Sequence, residues 1–332
     1  MSAPDDPLAR AWYPVATEKE LGGRPLARSL LGRPLVVFQG EGGPAVFLDR
    51  CPHRNMPLSR GRVREGAIEC PYHGWRFASD GRCVATPGSD TPARHGAEIM
   101  PITRRAGLIW TTLAKSPPPF PALPHPVEAD GFDSFWWPVR PSRARLVDAV
   151  ENLLDPAHPH FLHPGIVRSA TQRRPVEVTV QVRADHAEAI YVENARASAL
   201  MPRLLEGART TSIGRFYPPC IGQLAFEGPK GLRLAITVWF TPESEYSVRP
   251  FAHFATPKGW EPAWLKEALL RAFHVPVLAQ DQAALVAQTD NLARFGGPRY
   301  GLGPLDFLLP AIQTLSRGEV PADRDETFTI HL

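Results

Sequence analysis

Residues 51–77 read CPHRNMPLSRGRVREGAIECPYHGWRF. Cys51 and His53 form C-x-H, sixteen residues intervene, and Cys70 and His73 form C-x-x-H. Four soft or borderline ligands in two tight pairs, each expected at a hairpin tip, can converge on one metal centre. Thiolates and imidazoles suit zinc or iron–sulfur chemistry, not magnesium or calcium. Pro52 and Pro71 stiffen the two loops, and Gly74 permits an unusual backbone. Structural zinc sites usually pair like with like, as C-x₂₋₄-C and H-x₃₋₅-H. Here each loop supplies one cysteine and one histidine. That arrangement suits a [2Fe–2S] cluster with two cysteines on one iron and two histidines on the other. Replacing two thiolates by neutral imidazoles removes negative charge and raises the reduction potential. Cys83 and Cys220 have no such partner nearby and read as buried small hydrophobes.

Strand signals surround this stretch. PLVVF (34–38) and AVFL (45–48) flank a Gly-rich turn and read as a hairpin. WRFASDGRCVA (75–85) reads as a second hairpin, with Asp80-Gly81 as a favoured two-residue turn pair. GLIWTTL (107–113) adds a strand, so residues 8–115 are expected to form a small all-β domain. SPPPFPALPHP (116–126) has six prolines in eleven residues and suits a stiff linker. Beyond it, VEVTVQV (176–182) alternates strictly, and EAIYVENA, TTSIGRFYP, LRLAITVWFTP and YSVRPFAHFATP follow as strand candidates. Helical periodicity then runs through EPAWLKEALLRAF and past Pro276 into VLAQDQAALVAQTDNLARF. Residues 127–332 are therefore expected to form an α+β domain, a long helix on an antiparallel sheet with a cavity between the layers.

Length and composition agree. A chain of 332 residues exceeds what one core usually supports, which implies about two domains. Its 37 prolines argue against a long-helix bundle. No apolar run is long enough to span a membrane, and MSAPDDPLARAWYP lacks a secretory pattern. Four cysteines in so long a chain exclude a disulfide scaffold and make the cytoplasm the default. A net charge of +3 gives no reason to invoke nucleic acid. The 32 arginines against five lysines read as codon bias. GEGGPA (40–45) fits G-x-G-x-x-A superficially, but it joins two strands and contains Pro44, so it is no dinucleotide site. Phe135, Trp136, Trp137, Trp239 and Phe240 read as core, while Phe216, Tyr217 and Trp239 are also candidates to face the cavity.

A second constellation lies in ENLLDPAHPHFLH (151–163), with three histidines, an aspartate and an asparagine in thirteen residues. Two histidines and one carboxylate on one face of an iron form a facial triad that leaves positions open. His158 and His163 are five apart and flanked by Pro159 and Pro164, which predicts a broken or kinked helix. His160 stands between them as a decoy. Asp155 precedes Pro156 and reads equally as a helix N-cap. Asn152 reads as either a site residue or an exposed helix polar. Far downstream, Asp281 lies on the stripe Leu278–Asp281–Leu285, where apolar residues belong. A buried carboxylate requires a partner, either a metal or one of the arginines. Asp290 lies off that face and reads as solvated.

CPHRNMPLSRGRVREGAIECPYHGWRF resembles the Rieske motif. From Ala11-Trp12-Tyr13 to the helix holding Asp281, the chain resembles the Rieske non-haem iron oxygenases, nearest to the short single-subunit type of vanillate O-demethylase and dicamba monooxygenase. The resemblance implies a Rieske [2Fe–2S] domain held at Cys51, His53, Cys70 and His73, then a helix-grip (START-like) catalytic domain. It implies a mononuclear Fe(II) on His158, His163 and Asp281, the histidines matching D-x₂-H-x₄-H, with Asn152 near the iron. Asp155 would bridge His158 to the cluster ligand His73 of a neighbouring subunit in a head-to-tail homotrimer. The chain shows no nicotinamide or flavin motif, so electrons would come from a separate NAD(P)H-dependent reductase, with or without a ferredoxin. The implied reaction is O₂-dependent hydroxylation or oxidative demethylation of a small aromatic or polycyclic molecule, with ring dihydroxylation less favoured. Two alternatives stand beside it: a Rieske electron carrier with a non-catalytic ligand-binding domain, and a zinc-stabilised ligand-binding protein. Neither needs the second constellation. Substrate identity is not legible in 185–240, and RSATQRRP (168–175) offers an arginine for a carboxylate or merely a solvated surface.

Overall fold

The computed structural model describes residues 7–167, 173–192 and 210–332. The chain divides into two compact units, Met1–Ala122 with Thr241–Glu245, and Leu123–Phe240 with Tyr246–Leu332.

The first unit holds helix α1 (Pro7–Arg10) and three small antiparallel sheets. One orders β1 (Tyr13–Thr17), β10 (Leu108–Thr111) and β9 (Ile102–Arg105); the next orders β2 (Leu26–Leu30), β3 (Arg33–Gly40) and β4 (Gly43–Leu48). The third orders β5 (Arg62–Arg64), β6 (Ala67–Glu69), β7 (Arg76–Phe77) and β8 (Cys83–Ala85). The β3–β4 hairpin closes with Gly40 opposite Gly43, so GEGGPA is a turn between strands. Val36, Phe38, Phe47, Ile68 and Phe77 form one core, and Cys51 and Cys70 are part of it.

The second hairpin departs from expectation. Residues 78–82, not a two-residue loop, join β7 to β8. The Gly81 carbonyl accepts the Ala97 N–H at 2.8 Å, and Gly81 sits at φ +82° with the Ala97 carbonyl where a Cβ would be. The loop is nevertheless tight: the Gly81 N–H donates to the Ala78 carbonyl at 2.9 Å and the Ala78 N–H to the Arg82 carbonyl at 3.0 Å, leaving three loop residues, 79–81, with Gly81 in the left-handed position. The proline-rich segment also does more than space domains. Trp12 Nε1 donates to the Pro118 carbonyl at 2.9 Å, and Phe120 packs edge-on to Trp12 and Trp110. An apolar ring among prolines finds a partner instead of standing in water.

The second unit is built on one eight-stranded sheet in the order β11-β17-β16-β15-β14-β13-β12-β18. Its strands are β11 (Phe132–Pro138), β12 (Pro175–Val182), β13 (Ala187–Val192), β14 (Thr211–Tyr217), β15 (Ile221–Gly228), β16 (Gly231–Ser244), β17 (Ser247–Pro257) and β18 (Arg324–His331). Val176, Val178, Val180 and Val182 all point into the core, and burying each valine contributes about 1.5–3 kcal/mol. A one-residue slip would turn all four outward, which pins the register.

Helices α2 (Leu146–Leu154), α3 (Pro159–Leu162), α4 (Ala263–Arg294) and α5 (Leu309–Ser316) complete the unit among the described residues. Helix α4 passes unbroken through Pro276. Pro276 and Ala272 are both exposed, so the carbonyl that loses its N–H partner can bond to water instead. The inward residues Leu270 and Leu285 of α4 join the sheet's core, as does Ile312 of α5. Phe216 belongs to that core, Trp239 packs on Trp136, and Tyr217 packs on His186.

Candidate metal centres

In the first unit two loops repeat one backbone pattern. The Cys51 N–H donates to the Met56 carbonyl and the Cys70 N–H to the Trp75 carbonyl, both at 2.8 Å. The Asn55 N–H returns to Cys51 and the Gly74 N–H to Cys70, at 2.9 and 3.0 Å. The fifth residue of each loop is left-handed, Asn55 at φ +59° and Gly74 at φ +70°. Each cysteine is thus presented by the same turn. The second loop is the tip of the β6–β7 hairpin. The first is not a hairpin tip; it connects two sheets, because β4 pairs with β3 and β5 with β6.

The cysteines are 1% and 2% exposed, whereas His53 is half-buried and His73 lies at the surface. The two imidazole centroids are 4.5 Å apart, and His53 stacks on Trp75 with planes 4° from parallel. Cys51 and Cys70 are free thiols within hydrogen-bonding reach of each other. Burial, reinforced by Cys70 against the His53 and Arg54 N–H donors, pushes the Cys51 thiol up to about 11. His53 Nδ1 is buried without a hydrogen-bond partner. Two thiols facing each other beside an orphaned imidazole nitrogen are a donor set that a cationic cluster satisfies. Cys83 is buried in the same core as a free thiol, its Sγ 3.4 Å from the Ala85 carbonyl, and Cys220 is buried in the second unit.

In the second unit α2 ends at Asp155 and α3 begins after His158, so the helix is interrupted as its prolines predict. Asp155 Oδ1 and Oδ2 accept the Ala157 and His158 N–H groups at 2.8 and 3.0 Å. It therefore caps a turn, although it closes α2 and the proline at the first helical position of α3 is Pro159, not Pro156. His158 Nδ1 lies 3.4 Å from Asp155 Oδ2. Burial raises the Asp155 carboxyl, but His158 and the two backbone donors outweigh it and hold it below the usual carboxylate range.

His158 and His163 flank the single turn of α3 and meet Asp281 of α4. Asp281 Oδ1 is 3.6 Å from His158 Nε2, 2.9 Å from His163 Nε2 and 3.5 Å from Asn152 Nδ2. One donor atom from each of His158, His163 and Asp281 lies within 4.8 Å of the others. Among the described residues histidines and an amide, not an arginine, surround the carboxylate, and a divalent cation suits that donor set. His160 is buried outside the group, and Asp290 is exposed and pairs with Arg143. Residues 168–172 of RSATQRRP lie outside the described residues; Arg173 stands over the Phe161 ring at 5.1 Å.

Residues 11–102 match the Rieske [2Fe–2S] domain, and residues 142–303 match the vanillate O-demethylase oxygenase C-terminal domain. The chain belongs to the Rieske non-haem iron oxygenases. It is 33% identical over 217 residues to the oxygenase component of dicamba O-demethylase from Stenotrophomonas maltophilia. That alignment covers 61% of each chain, under two thirds of the relative's length. It is 28% identical over 324 residues to the vanillate O-demethylase oxygenase subunit of Pseudomonas sp. strain HR199, covering 86% of this chain and 87% of the relative. The crystal structure of dicamba monooxygenase bound to dicamba shares its fold, with a TM-score of 0.79 at 23% identity over 93% of this chain and 98% of that one. The two matched domains imply a [2Fe–2S] cluster and a mononuclear iron. Among the chain's described residues no helix is long and apolar enough to cross a membrane.

Sequence reasoning missed three residues beside these centres. Gln280 Oε1 lies 2.7 Å from His163 Nδ1. Glu151 and Asp306 line, with Asp155, Leu305 and Leu308, a small open pocket with room for little more than a water molecule. Burial, then the Asp155 and Asp306 charges, raise the Glu151 carboxyl to about 7. Glu151 lies four residues before Asp155, one helical turn away, a spacing that could have paired them. Gln280 carries no periodic signal; only its place beside Asp281 marks it.

Proposed function

We propose that this chain is a terminal oxygenase component that hydroxylates or oxidatively demethylates a small, aromatic or polycyclic organic molecule, with O₂ and electrons from a separate NAD(P)H-dependent reductase, with or without a ferredoxin. In this reading residues 8–115 carry the cluster on Cys51, His53, Cys70 and His73, residues 116–126 connect, and residues 127–332 hold the iron on His158, His163 and Asp281. The convergence of those last three donors within 4.8 Å carries the reading. An electron carrier has no use for such a group. Iron held there would supply the O₂ chemistry, since three protein ligands leave positions open.

The surrounding residues have definable tasks. Asn152 donates toward Asp281 Oδ1 and fixes the rotamer of that carboxylate. Asp155 holds the His158 loop through two backbone hydrogen bonds while its carboxylate lines the open pocket. His73 and Tyr72 are exposed, as are Arg54, Arg60, Arg62 and Arg64 in the segment between the two loops, with Arg62 paired to Glu69 and Arg64 to Glu65. The pocket beside Asp155 carries Glu151 and Asp306. An exposed His73 and an Asp155 that lines an open pocket suit a head-to-tail homotrimer in which His73 of the partner subunit reaches Asp155, giving electrons a short path to His158. Four free cysteines fit a reducing cytoplasm.

The test is a substrate screen with an added reductase, analysed for formaldehyde and hydroxylated products, alongside metal analysis. About three irons per chain are expected, two in the cluster and one outside it. Two irons per chain and no O₂ consumption with any substrate would leave only an electron carrier.

A further inference from the structure

We infer that Gln280 is a positioning residue that holds His163 as the Nδ1–H tautomer and so presents the Nε2 lone pair to the iron. The inference rests on the assignment of His158, His163 and Asp281 as ligands. A neutral imidazole has one N–H and one lone pair, and a metal takes the lone pair. Nε2 of His163 is the nitrogen turned toward the triad, 2.9 Å from Asp281 Oδ1. The proton must then sit on Nδ1, where the Gln280 amide oxygen accepts it at 2.7 Å. The opposite amide orientation would set N–H against Nδ1 and leave the proton on Nε2, in the way of the metal. His163 is 1% exposed, so water does not substitute for this acceptor.

The two histidines are thereby backed by different oxygens. His158 has the Asp155 carboxylate behind its Nδ1, 3.4 Å away, whereas His163 has a neutral amide. Asp155 lines the open pocket, and Gln280 is not among the residues that line it. Gln280 and Asp281 are consecutive on α4, so one turn of a rigid helix addresses both nitrogens of His163. Ligating histidines held in this way bind metal more tightly, and loss of the outer partner typically costs roughly 10–100-fold in affinity.

The experiment uses the full chain with its cluster intact and the mononuclear site emptied by mild chelation. Cobalt(II) is titrated while its ligand-field bands are followed. Gln280→Leu is expected to weaken cobalt binding by roughly 10–100-fold and to alter those bands, with cluster absorbance unchanged. Gln280→Glu, which restores an acceptor of the same shape, is expected to bind at least as tightly as the native chain. Unchanged affinity and bands in Gln280→Leu would overturn the assignment. So would weakened binding in folded Gln280→Glu, which carries the test alone if the leucine variant does not fold. Asp281→Ala separates the two levels. If it binds cobalt normally, the ligand assignment itself fails; if it loses cobalt while Gln280→Leu does not, only the role of Gln280 fails.

Discussion

The two candidate metal centres are built in opposite ways. The four donors of the cluster loops fall between residues 51 and 73, on two turns that repeat the same pair of backbone hydrogen bonds. The donors of the iron triad come from α3's flanks and from α4, with His163 and Asp281 separated by 118 positions. The first centre is specified by local turn geometry, and the second exists only once α4 has packed on its sheet. The first leaves His73 at the surface and His53 half-buried, whereas the second collects carboxylates around half-buried and buried imidazoles. A site specified locally should survive damage elsewhere. A site specified by packing should not.

Asp281→Ala tests that contrast most severely. It removes the only ligand that α4 contributes, so iron should fall from about three to about two per chain with the cluster spectrum intact. Turnover should drop by a factor on the order of 10³ or more. Retention of all three irons would show that another residue closes the triad. Asp155→Asn is gentler, because the amide oxygen can still accept the Ala157 N–H and the capping loss stays below about 1 kcal/mol. Both metals should remain while turnover falls roughly 10–100-fold. Loss of mononuclear iron in that variant would recast Asp155 as a structural support instead of an electron bridge.

Acid should divide the two units. His253, fully buried, and His274, among Trp137, Phe254 and Phe273, are both lowered by burial to about 4. Each is neutral in the folded second unit but takes up a proton near 6.5 when unfolded. Its contribution is therefore complete above pH 6.5 and is lost as pH falls toward 4, about 3 kcal/mol for each. Glu151 runs the other way. Raised to about 7, it favours the folded state as pH falls from about 7 toward 4.5, and it offsets about one histidine. A net loss of about 3 kcal/mol is expected between pH 7 and 4. Urea midpoints followed by tryptophan fluorescence should fall with pH before the visible absorbance of the cluster bleaches. Bleaching first would contradict the assignment of this sensitivity to the second unit.

The same contrast explains what could be read from the chain. Cys51 to Phe77 was legible because ligand spacing, prolines and Gly74 all act within a few residues. His158, His163 and the helix break just before His158 were legible for the same reason. Asp281 could be found at a distance only because a carboxylate interrupts an apolar helical stripe. Gln280 interrupts nothing, and its importance lies in a contact with residue 163 that no periodicity encodes. β18 escaped because it is an edge strand with Asp325 and Glu326 facing water and only Ile330 buried. Asp80-Gly81 marked the hairpin turn correctly but not its length, because Gly81 serves as a third, left-handed loop residue inside the Ala78–Arg82 pair, which the dipeptide alone does not distinguish from a two-residue turn.

The smallest effects should appear within the cluster loops, at the two left-handed positions. An alanine is strained by about 1 kcal/mol at either φ +59° or φ +70°. At Gly74, however, a Cβ would also meet Pro87 Cγ at 2.9 Å. Gly74→Ala should therefore cost about 2 kcal/mol, read as a lower thermal midpoint of cluster absorbance. Asn55→Ala should cost about half of that, since Asn55 is exposed and its amide oxygen only accepts from Arg50 Nε at 2.6 Å. Asn55→Gly removes the same contact but relieves the strained backbone, so its change should stay within about 0.5 kcal/mol. If alanine proved equally harmful in both loops, the Pro87 contact would be irrelevant, and the shared left-handed turn alone would set the tolerance of the cluster site.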